Sequence, residues 1–555
     1  MVITKLISSL EKCFLDEKID QYEALERATM LKNERYSFQM IFTSDKDAIQ
    51  VMKFCKPVVD AGALTPFITI RTVEHVPVTE PVYTPVPDDN YLRTTPGIYP
   101  DLLMPLRHNG TFSVVQDQLR SVWIEVDPRG KVEAGSYPIV IDLYDRNGEH
   151  ISKATMELEI IDASLPEQEL IYTQWFHCDS LAHYYRCEVW SEEHWTLIER
   201  FARTAVRNGI NLLLTPVHTP PLDTKVGGER LTVQLVDVTL ENGKYHFGFD
   251  RLDRWIDMCN RVGIRYFEIA HLFTQWGAAH APKIMATVDG EYKKLFGWET
   301  DATGEDYVAY LRAFLPAFLT HMKARGDDRR CFFHISDEPN ETTLPTYCAA
   351  KDVVAEILAD YPIMDALSSL EFYEKGIVKV PVPANDHIQP FIEAGAKNLW
   401  SYHCCLQGNG VSNRFVAMPL YRTRSLGMQL YKYDIVGFLH WGYNHYLNVF
   451  SEDTVEPFLE LGGEDWVPAG DAHSVYPSFT GYPLESMRIV AFFEGLQDQR
   501  AMKLAEQYYG KEAVVAKIEE LFGEELRFDR CAKSASTMKN IREAINGMIK
   551  EAVSK

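Results

Sequence analysis

The chain has 555 residues, of which 46% are hydrophobic and 24% are charged, values typical of globular proteins with a large core. This length exceeds one ordinary domain and predicts two or three. The 79 acidic and 56 basic residues give a net charge of −23, which excludes nucleic acid and anionic lipid as favoured partners because such a surface repels polyanions.

The N-terminal residues 1–20 contain no long apolar core and no small-residue cleavage site, so we expect no signal peptide. No segment approaches the roughly 20 apolar residues of a membrane span. The ten cysteines include no CxxC pair, and several lie in apolar runs, which predicts reduced thiols in a cytoplasmic protein. We expect no cofactor and no membrane partner, and the sequence leaves homo-oligomerisation open.

Residues 1–165 have the pattern of a β-domain. Residues 138–145 (PIVIDLYD) and 151–161 flank an Asn147-Gly148 pair, and the second run alternates apolar and polar side chains, which is typical of a β-hairpin. Similar runs occur at 36–43, 67–73 and 119–126, and prolines between 77 and 105 indicate a loop or edge segments. The pattern predicts a β-sandwich.

From residue 166 to 482, short apolar runs alternate with helical segments. Eight runs have strand character: 172–177, 210–214, 264–270, 331–336, 364–370, 377–382, 398–403 and 435–440. Eight such units predict a (β/α)₈ TIM-like barrel, which some short connections would make irregular. A doubly wound sheet is the alternative, but no Gly-rich phosphate loop follows the first run. Residues 483–555 are predicted to be C-terminal helices that pack on the barrel.

Polar and aromatic residues follow the predicted barrel strands at their carboxyl ends, where barrel enzymes carry their active sites. Such a rim suits a carbohydrate, because aromatic rings stack on sugars while amides and imidazoles bind hydroxyls. Histidines at strand ends would also suit a metal, but no HxH or HExxH pattern accompanies them, and we expect none. The predicted substrate-binding residues are Trp175, His177, His218, His271, Trp276, Tyr402, His403, His440, Trp441, Tyr443 and Asn444.

The strongest single signal is CFFHISDEP, in which an apolar strand ends in Asp337 and Glu338. Burying two adjacent carboxylates is costly, so their presence indicates function. An ordinary retaining glycosidase needs two separated carboxyl groups, but the seventh strand contains none and Glu371 is the only remote candidate. In the other scheme, the 2-acetamido group of the substrate is the nucleophile, and two neighbouring carboxyl groups suffice. That scheme requires the chain to turn at Asp337, because strand neighbours point to opposite faces.

The sequence His334-x-Ser336-Asp337-Glu338-Pro339, together with residues 437–444 (GFLHWGYN), resembles glycoside hydrolase family 123. The resemblance implies a retaining exo-β-N-acetylgalactosaminidase that uses substrate-assisted catalysis. It also implies that Asp337 positions the acetamido group and that Glu338 is the general acid/base. A conventional β-glycosidase and a non-catalytic glycan-binding protein are the alternatives.

Overall fold

The computed structural model describes residues 2–44 and 52–554, which cluster into two compact units. The first unit comprises Met1–Gln168, Gly408–Tyr433 and Leu484–Lys555, and the second comprises Glu169–Gln407 and Asp434–Pro483. Within the described ranges, no helix has both the length and the apolar composition that crossing a membrane requires.

The N-terminal strands form two five-stranded sheets, in the orders β1-β3-β8-β5-β6 and β2-β10-β9-β4-β7. The predicted hairpin is β9–β10, where Met156 pairs with Ile139, and the Asp145 carboxylate accepts the Asn147 and Glu149 N–H groups at its turn. The strands are β1 (Val2–Ser8), β2 (Arg27–Leu31), β3 (Tyr36–Ser44), β4 (Met52–Asp60), β5 (Ile68–Val78), β6 (Gly97–Pro105), β7 (Phe112–Val115), β8 (Arg120–Val126), β9 (Gly135–Asp145) and β10 (His150–Ile161).

One core cluster lies between these two sheets. It joins Phe38 and Ile124 from one sheet to Ile141 and Leu158 from the other, all fully buried. Along β10 the side chains alternate between buried apolar and more exposed polar residues, as a strand with one covered face should. The predicted β-rich N-terminal region is therefore confirmed.

Residues 169–483 alternate between short strands and helices, as the sequence predicts. The elements are β11 (Ile171–Gln174), α1 (Cys178–Tyr185), α2 (Glu192–Arg207), β12 (Leu212–Thr215), β13 (Asp237–Glu241), β14 (Lys244–Gly248), α3 (Asp250–Val262), β15 (Tyr266–Ile269), β16 (Ile284–Val288), β17 (Glu291–Phe296), α4 (Glu305–Arg325), β18 (Cys331–Phe332), α5 (Leu344–Val354), β19 (Met364–Ala366), α6 (Leu370–Glu374), β20 (Val380–Val382), α7 (Gln389–Glu393), β21 (Trp400–Tyr402), α8 (Leu420–Lys432), β22 (Gly437–His440) and β23 (Val475–Tyr476).

The eight strands predicted for the barrel are all present, but they form three separate parallel sheets rather than one continuous ladder. Their orders are β11-β22-β21, β12-β15-β18 and β19-β20. Isolated parallel bridges, Phe333 to Ile363 and Ala384 to Tyr402, connect successive strands across two of the gaps. One core cluster draws side chains from all three sheets, including Leu212, Val382 and Leu439. The coarse α/β prediction is confirmed, whereas a regular (β/α)₈ barrel is not shown.

Two hairpins that the sequence analysis missed form a four-stranded sheet in the order β14-β13-β16-β17. Asn242-Gly243 connects β13 to β14 and Asp289-Gly290 connects β16 to β17, with positive φ at all four residues. These two-residue turns are strong hairpin signals. Both were therefore visible in the sequence.

The C-terminal segment contains β24 (Leu484–Glu485), α9 (Met487–Tyr509), α10 (Lys511–Phe522) and α11 (Ala535–Val553). These elements group with the N-terminal strands and with α8, and the predicted packing of the helices on the barrel stays a prediction. One reason for this grouping is a buried bidentate ion pair between Arg488 of α9 and Asp101 of β6. Helices α8 and α9 also pack closely, since a Cβ on Gly427 would lie 2.0 Å from the Gly495 carbonyl oxygen.

Candidate active site

Asp337 and Glu338 lie on a turn that follows the fourth parallel strand, β18. Regular pairing of this strand ends at Phe332, and Glu338 has a left-handed backbone with φ of +45°. A non-glycine residue rarely adopts this conformation, which costs about 1–3 kcal/mol and concentrates at functional sites. Because the chain turns here, the two neighbouring side chains need not point to opposite faces as they would in a strand. A paired role for Asp337 and Glu338 requires this departure from strand geometry.

The loop after the third parallel strand, β15, holds this turn in place. The Trp276 N–H donates to the Asp337 carbonyl oxygen at 3.0 Å, and Trp276 has a φ of +59°. Between it and Ala278, Gly277 has a φ of +123°, and a Cβ there would lie 2.9 Å from Thr343. Only glycine fits this position, because any other residue would have both an unfavourable backbone angle and a clash with Thr343.

The Glu338 carboxylate lines an open cavity of about 670 Å³, a volume in the range of small-molecule sites. The Tyr402 hydroxyl at the end of β21 donates to Glu338 Oε1 at 2.9 Å. Asp337 is half-buried and is not among the residues that line this cavity. The lining residues are Glu338, Pro339, Asn340, Glu341, Thr342, Leu367, Ser368, Ser369, His387, Tyr402, Leu406 and Gln407.

The pKa values of both acids are raised, which favours retention of a proton at the pair. Burial raises the pKa of Asp337 well above its usual value, and the charges of Glu338 and Asp223 raise it further. Burial also raises the pKa of Glu338, while the Tyr402 hydrogen bond opposes that change. Burial raises the pKa of the Tyr402 phenol, and the charges of Glu338 and Asp337 raise it further. Both carboxylates therefore act on the Tyr402 hydroxyl.

A buried charge network lies three residues before Asp337 in the same strand segment. The His334 ring nitrogens contact Glu268 Oε1 at 2.8 Å and Asp365 Oδ1 at 3.2 Å. Burial alone would lower the pKa of His334, but its hydrogen bonds to these two carboxylates outweigh burial and raise the pKa to about 9. His334 is therefore an imidazolium cation at neutral pH, and it lowers the pKa of Asp337.

His271, His334 and Asp365 form the one potential metal-binding cluster among the described residues. The two imidazole rings are stacked, with centroids 4.1 Å apart and planes inclined by 17°. Nitrogen lone pairs lie in the ring plane, so stacked rings do not direct two of them at one ion. Both His334 nitrogens also contact carboxylates already. Burial lowers the pKa of His271 well below its usual value. The geometry therefore suits the His334 imidazolium stacked on the neutral ring of His271.

Residues 175–505 match the family model described as Glycoside hydrolase 123, catalytic domain, which is more than half of the chain. This chain belongs to glycoside hydrolase family 123. The predicted resemblance is confirmed, and the chain is a glycoside hydrolase by family.

A family 123 glycoside hydrolase from Clostridium perfringens, described in work on glycolipid glycan hydrolysis, has a similar fold. It aligns over 100% of this chain and 98% of its own, with 14% identity and a TM-score of 0.73. β-Glucuronidases from Bifidobacterium dentium (9% identity, 89% and 66% coverage, TM-score 0.32) and Parabacteroides merdae (10%, 80% and 46%, 0.27) are too dissimilar to support an argument. Comparison with curated proteins finds no match.

In this family 123 chain, Tyr402 and Trp276 are predicted binding residues that donate hydrogen bonds to the acid pair. Trp276 is 49% exposed, an unusual state for tryptophan, so its indole face is accessible to a ligand. Trp175 is buried and donates from its indole to Glu268 at 2.7 Å. It therefore belongs to the network that holds His334.

The eighth strand contributes an aromatic pair linked by one carboxylate. His440 Nε2 contacts Asp471 Oδ1 at 3.1 Å, and the Trp441 indole donates to Asp471 Oδ2 at 2.8 Å. The His403 ring packs against Phe438 and His440. These three predicted residues are buried, and their contact with substrate stays a prediction.

Four other predicted binding residues have polar groups that bond within the buried interior. His218 contacts the Tyr310 hydroxyl at 2.8 Å, and Tyr443 donates to the Phe201 carbonyl at 2.8 Å. Asn444 holds both the N–H and the carbonyl of His177. None of the four is among the residues that line the Glu338 cavity.

The sequence analysis missed several charged residues of this region. Glu268 and Asp365 lie inside apolar runs, FEIA and IMDAL, and a carboxylate within a predicted buried strand is a usable signal because it must be paired. Asp223 and Arg230 lie in the loop between β12 and β13, and no local pattern identifies them.

Proposed function

We propose that the chain is a retaining exo-glycoside hydrolase that removes terminal β-linked N-acetylhexosamine, with N-acetylgalactosamine as the favoured sugar. The observation that carries this proposal is a pair of adjacent carboxyl groups on one turn, of which Glu338 has a left-handed backbone and lines an open cavity. Among the described residues, no arginine or lysine forms an ion pair with either acid. Both are therefore free to hold and transfer a proton.

The proposed reaction has two steps. First, the acetamido oxygen of the substrate attacks the anomeric carbon while Glu338 protonates the departing glycosidic oxygen, which gives an oxazolinium ion and the free aglycone. The Asp337 carboxylate accepts the acetamido N–H and stabilises the positive charge. Second, Glu338 removes a proton from water as the water attacks the anomeric carbon, which reopens the ring with retention.

Substrate binding assigns the proton within the pair. Both acids have raised pKa values in the empty site, first because of burial. An acetamido N–H that donates to Asp337 favours the charged form of Asp337 and lowers its pKa. The shared proton then resides on Glu338, where the leaving group needs it.

We also infer that the eight parallel strands form an irregular (β/α)₈ barrel whose carboxyl-terminal rim carries this site. The chain order of the strands, the bridges between sheets and the shared core support this inference. On this rim, Tyr402 and Trp276 lie next to the acid pair and would contact the sugar and its aglycone.

The position of Glu371 favours the substrate-assisted scheme over a conventional glycosidase. Glu371 lies on α6, its side chain is 43% exposed, and it pairs with Lys375 one helical turn later. It is not among the residues that line the Glu338 cavity. A carboxylate held by a surface lysine is poorly placed to attack a sugar bound at Glu338.

Aryl glycosides that differ at C2 and C4 test the proposal. We expect turnover of aryl β-N-acetylgalactosaminide, a lower rate with the C4 epimer and little with a 2-hydroxy sugar. Glu338→Gln should lower kcat by roughly 10²–10⁴-fold, and Asp337→Asn should also be severe. Glu356→Gln, an exposed acid-to-amide change, is the control.

A thiazoline that mimics the cyclised acetamido group distinguishes the rival mechanisms. Inhibition by this compound supports the proposal. An active enzyme that resists the thiazoline would instead have a carboxylate nucleophile. If calorimetry finds sugar binding but no aryl glycoside is hydrolysed over days, the chain is a glycan-binding protein.

A further inference from the structure

Asp223 lies in the loop between β12 and β13, on a backbone that is held at two points. Its N–H donates to Gln275 Oε1 at 2.8 Å, and its carbonyl oxygen accepts the Ser451 hydroxyl at 2.9 Å. Gln275 Nε2 donates to the next carbonyl, that of Thr224, at 2.9 Å. Three hydrogen bonds from two other loops therefore fix the backbone position of Asp223.

The carboxylate of Asp223 is much less satisfied than its backbone. Its Oδ2 atom is buried and has no hydrogen-bond partner, although the side chain as a whole is 21% exposed. The nearest cation is Arg230, whose Nη1 lies 4.0 Å from Oδ2. Arg230 itself donates to Asp179 and the Leu222 carbonyl. A buried acceptor without a donor is costly, and a ligand hydroxyl would remove that cost.

One short segment connects Asp223 to the acid pair. Gln275, which receives the Asp223 N–H, precedes Trp276, whose own N–H donates to the Asp337 carbonyl oxygen at 3.0 Å. The loop after β15 therefore holds both the Asp223 loop and the acidic turn.

Electrostatics indicate the same proximity. Burial raises the pKa of Asp223 to about 6, Arg230 opposes that change, and the charges of Glu338, Asp179 and Asp471 add to it. Asp223 in turn raises the pKa of Asp337. Asp223 therefore interacts electrostatically with both acids of the pair.

We propose that Asp223 is a substrate-binding residue whose carboxylate accepts a hydrogen bond from a ring hydroxyl of the sugar held at Asp337 and Glu338. This inference rests on the proposed function. A hydroxyl group is the required chemistry, because an ionised carboxylate only accepts hydrogen bonds and needs a donor. Asp223 would thereby select sugars that carry a hydroxyl at one particular ring position.

A cycle of enzyme and substrate changes tests this inference. Wild type, Asp223→Asn and Asp223→Ala are assayed on aryl β-N-acetylgalactosaminides that lack the hydroxyl at C3, C4 or C6 in turn. Loss of a hydrogen bond to a charged group should lower the wild-type kcat/KM by about 10- to 100-fold for one deoxy position. The same deletion should cost Asp223→Ala less than about threefold, because the partner has already been removed.

The control is Glu452→Gln. Glu452 is exposed and forms an ion pair with Lys225, and Lys225 lies two residues after Asp223 in the sequence. This change therefore alters charge near the Asp223 loop without replacing a residue of the proposed site. Its activity and its response to each deoxy substrate should match wild type. Circular dichroism and thermal unfolding of both Asp223 variants separate misfolding from lost contact, and Asp223→Asn retains the side-chain shape.

The outcomes separate this inference from the proposed function. If each deoxygenation costs wild type and folded Asp223 variants equally, Asp223 does not contact substrate and the inference is overturned, while the glycosidase proposal stands. If wild type hydrolyses no aryl glycoside, both fail. A single deoxy position that loses its effect only in the Asp223 variants supports the contact and identifies the hydroxyl.

Discussion

The acid pair of the second unit lacks the arginine partner that buried aspartates have elsewhere in the molecule. Such pairs occur in both units, since Asp179 of the second unit pairs with Arg230 at 2.7 Å, but they are most numerous in the first. In the first unit, three aspartates with buried side chains each form an ion pair with an arginine. Arg488 binds Asp101 at 2.9 Å, Arg422 binds Asp88 at 2.6 Å and Arg424 binds Asp498 at 2.7 Å. In the second unit, Asp337 and Glu338 have raised pKa values and no such partner among the described residues.

This difference distinguishes structural charge from catalytic charge. A carboxylate that forms a bidentate pair with arginine stays ionised and fixes two segments together, but it cannot take part in proton transfer. A buried carboxyl group without a cation destabilises the fold and can exchange a proton near neutral pH. The first unit therefore uses its buried acids for assembly, whereas the second keeps two of them available for chemistry.

The largest effect on stability should come from breaking a pair in the first unit. Arg488→Met leaves the Asp101 carboxylate buried without its cation, and we expect a loss of about 3–5 kcal/mol in unfolding free energy. Urea unfolding followed by circular dichroism measures this loss. Arg527→Met, which removes a half-buried arginine that pairs with Asp529 at the surface, should change the unfolding midpoint little. Equal effects of the two changes would show that burial of the pair has no special importance.

His334 extends the comparison, because it is a paired charge within the second unit. Its folded pKa of about 9 lies above the ordinary 6.5, so its stabilising effect is complete below pH 6.5 and is lost as pH rises through 9. The shift corresponds to about 3 kcal/mol. Wild type should lose this stability between pH 7 and 10 in urea titrations, and His334→Gln should lack that component. A wild-type profile parallel to that of the variant would contradict it.

Tyr402→Phe should have a moderate effect that is specific to the reaction. The phenol donates to Glu338 and lowers its pKa, so its removal should raise that pKa further. We expect about a tenfold loss of kcat/KM, from the lost hydrogen bond, and an upward shift of the basic limb of the pH profile, where Glu338 loses its proton. Tyr373→Phe, on α6 and outside the cavity lining, is the matched control. An unchanged pH profile would show that the phenol does not act on Glu338.

The alternation of strands and helices was predictable because each element carries its own local pattern. Asn147-Gly148 predicts the β9–β10 hairpin, and apolar runs predict each parallel strand. The division of these strands into three sheets was not predictable, because β18 and β19 pair over two or three residues and the bridges between sheets depend on distant segments. The grouping of α9 with N-terminal strands rests partly on the pair of Arg488 with Asp101, two residues far apart in the sequence that no local pattern connects.

For the site, adjacency in sequence identified Asp337 and Glu338, because a strand that ends in two acids is unusual in itself. The positions of the other rim residues required the tertiary structure. His218 and Tyr443 follow strands just as Tyr402 does, yet they bond within the interior while Tyr402 lines the cavity. Asp223 was missed because its relation to the acid pair arises from Gln275 and Trp276, which a local pattern does not reveal.

The smallest expected effect gives the sharpest contrast between the units. Because the fold raises the pKa of Glu338 above its ordinary 4.5, wild type loses stability as pH rises through the unfolded value. Glu338→Gln removes that penalty and should stabilise the protein by about 1 kcal/mol at pH 7, with no gain at pH 4. Asp101→Asn, the same chemical change in the first unit, leaves Arg488 buried without a counter-charge and should destabilise by about 3 kcal/mol or more. Urea unfolding of both variants at the two pH values measures the difference. If Glu338→Gln destabilises as much as Asp101→Asn, then Glu338 is also a structural acid, and the distinction between the two units fails.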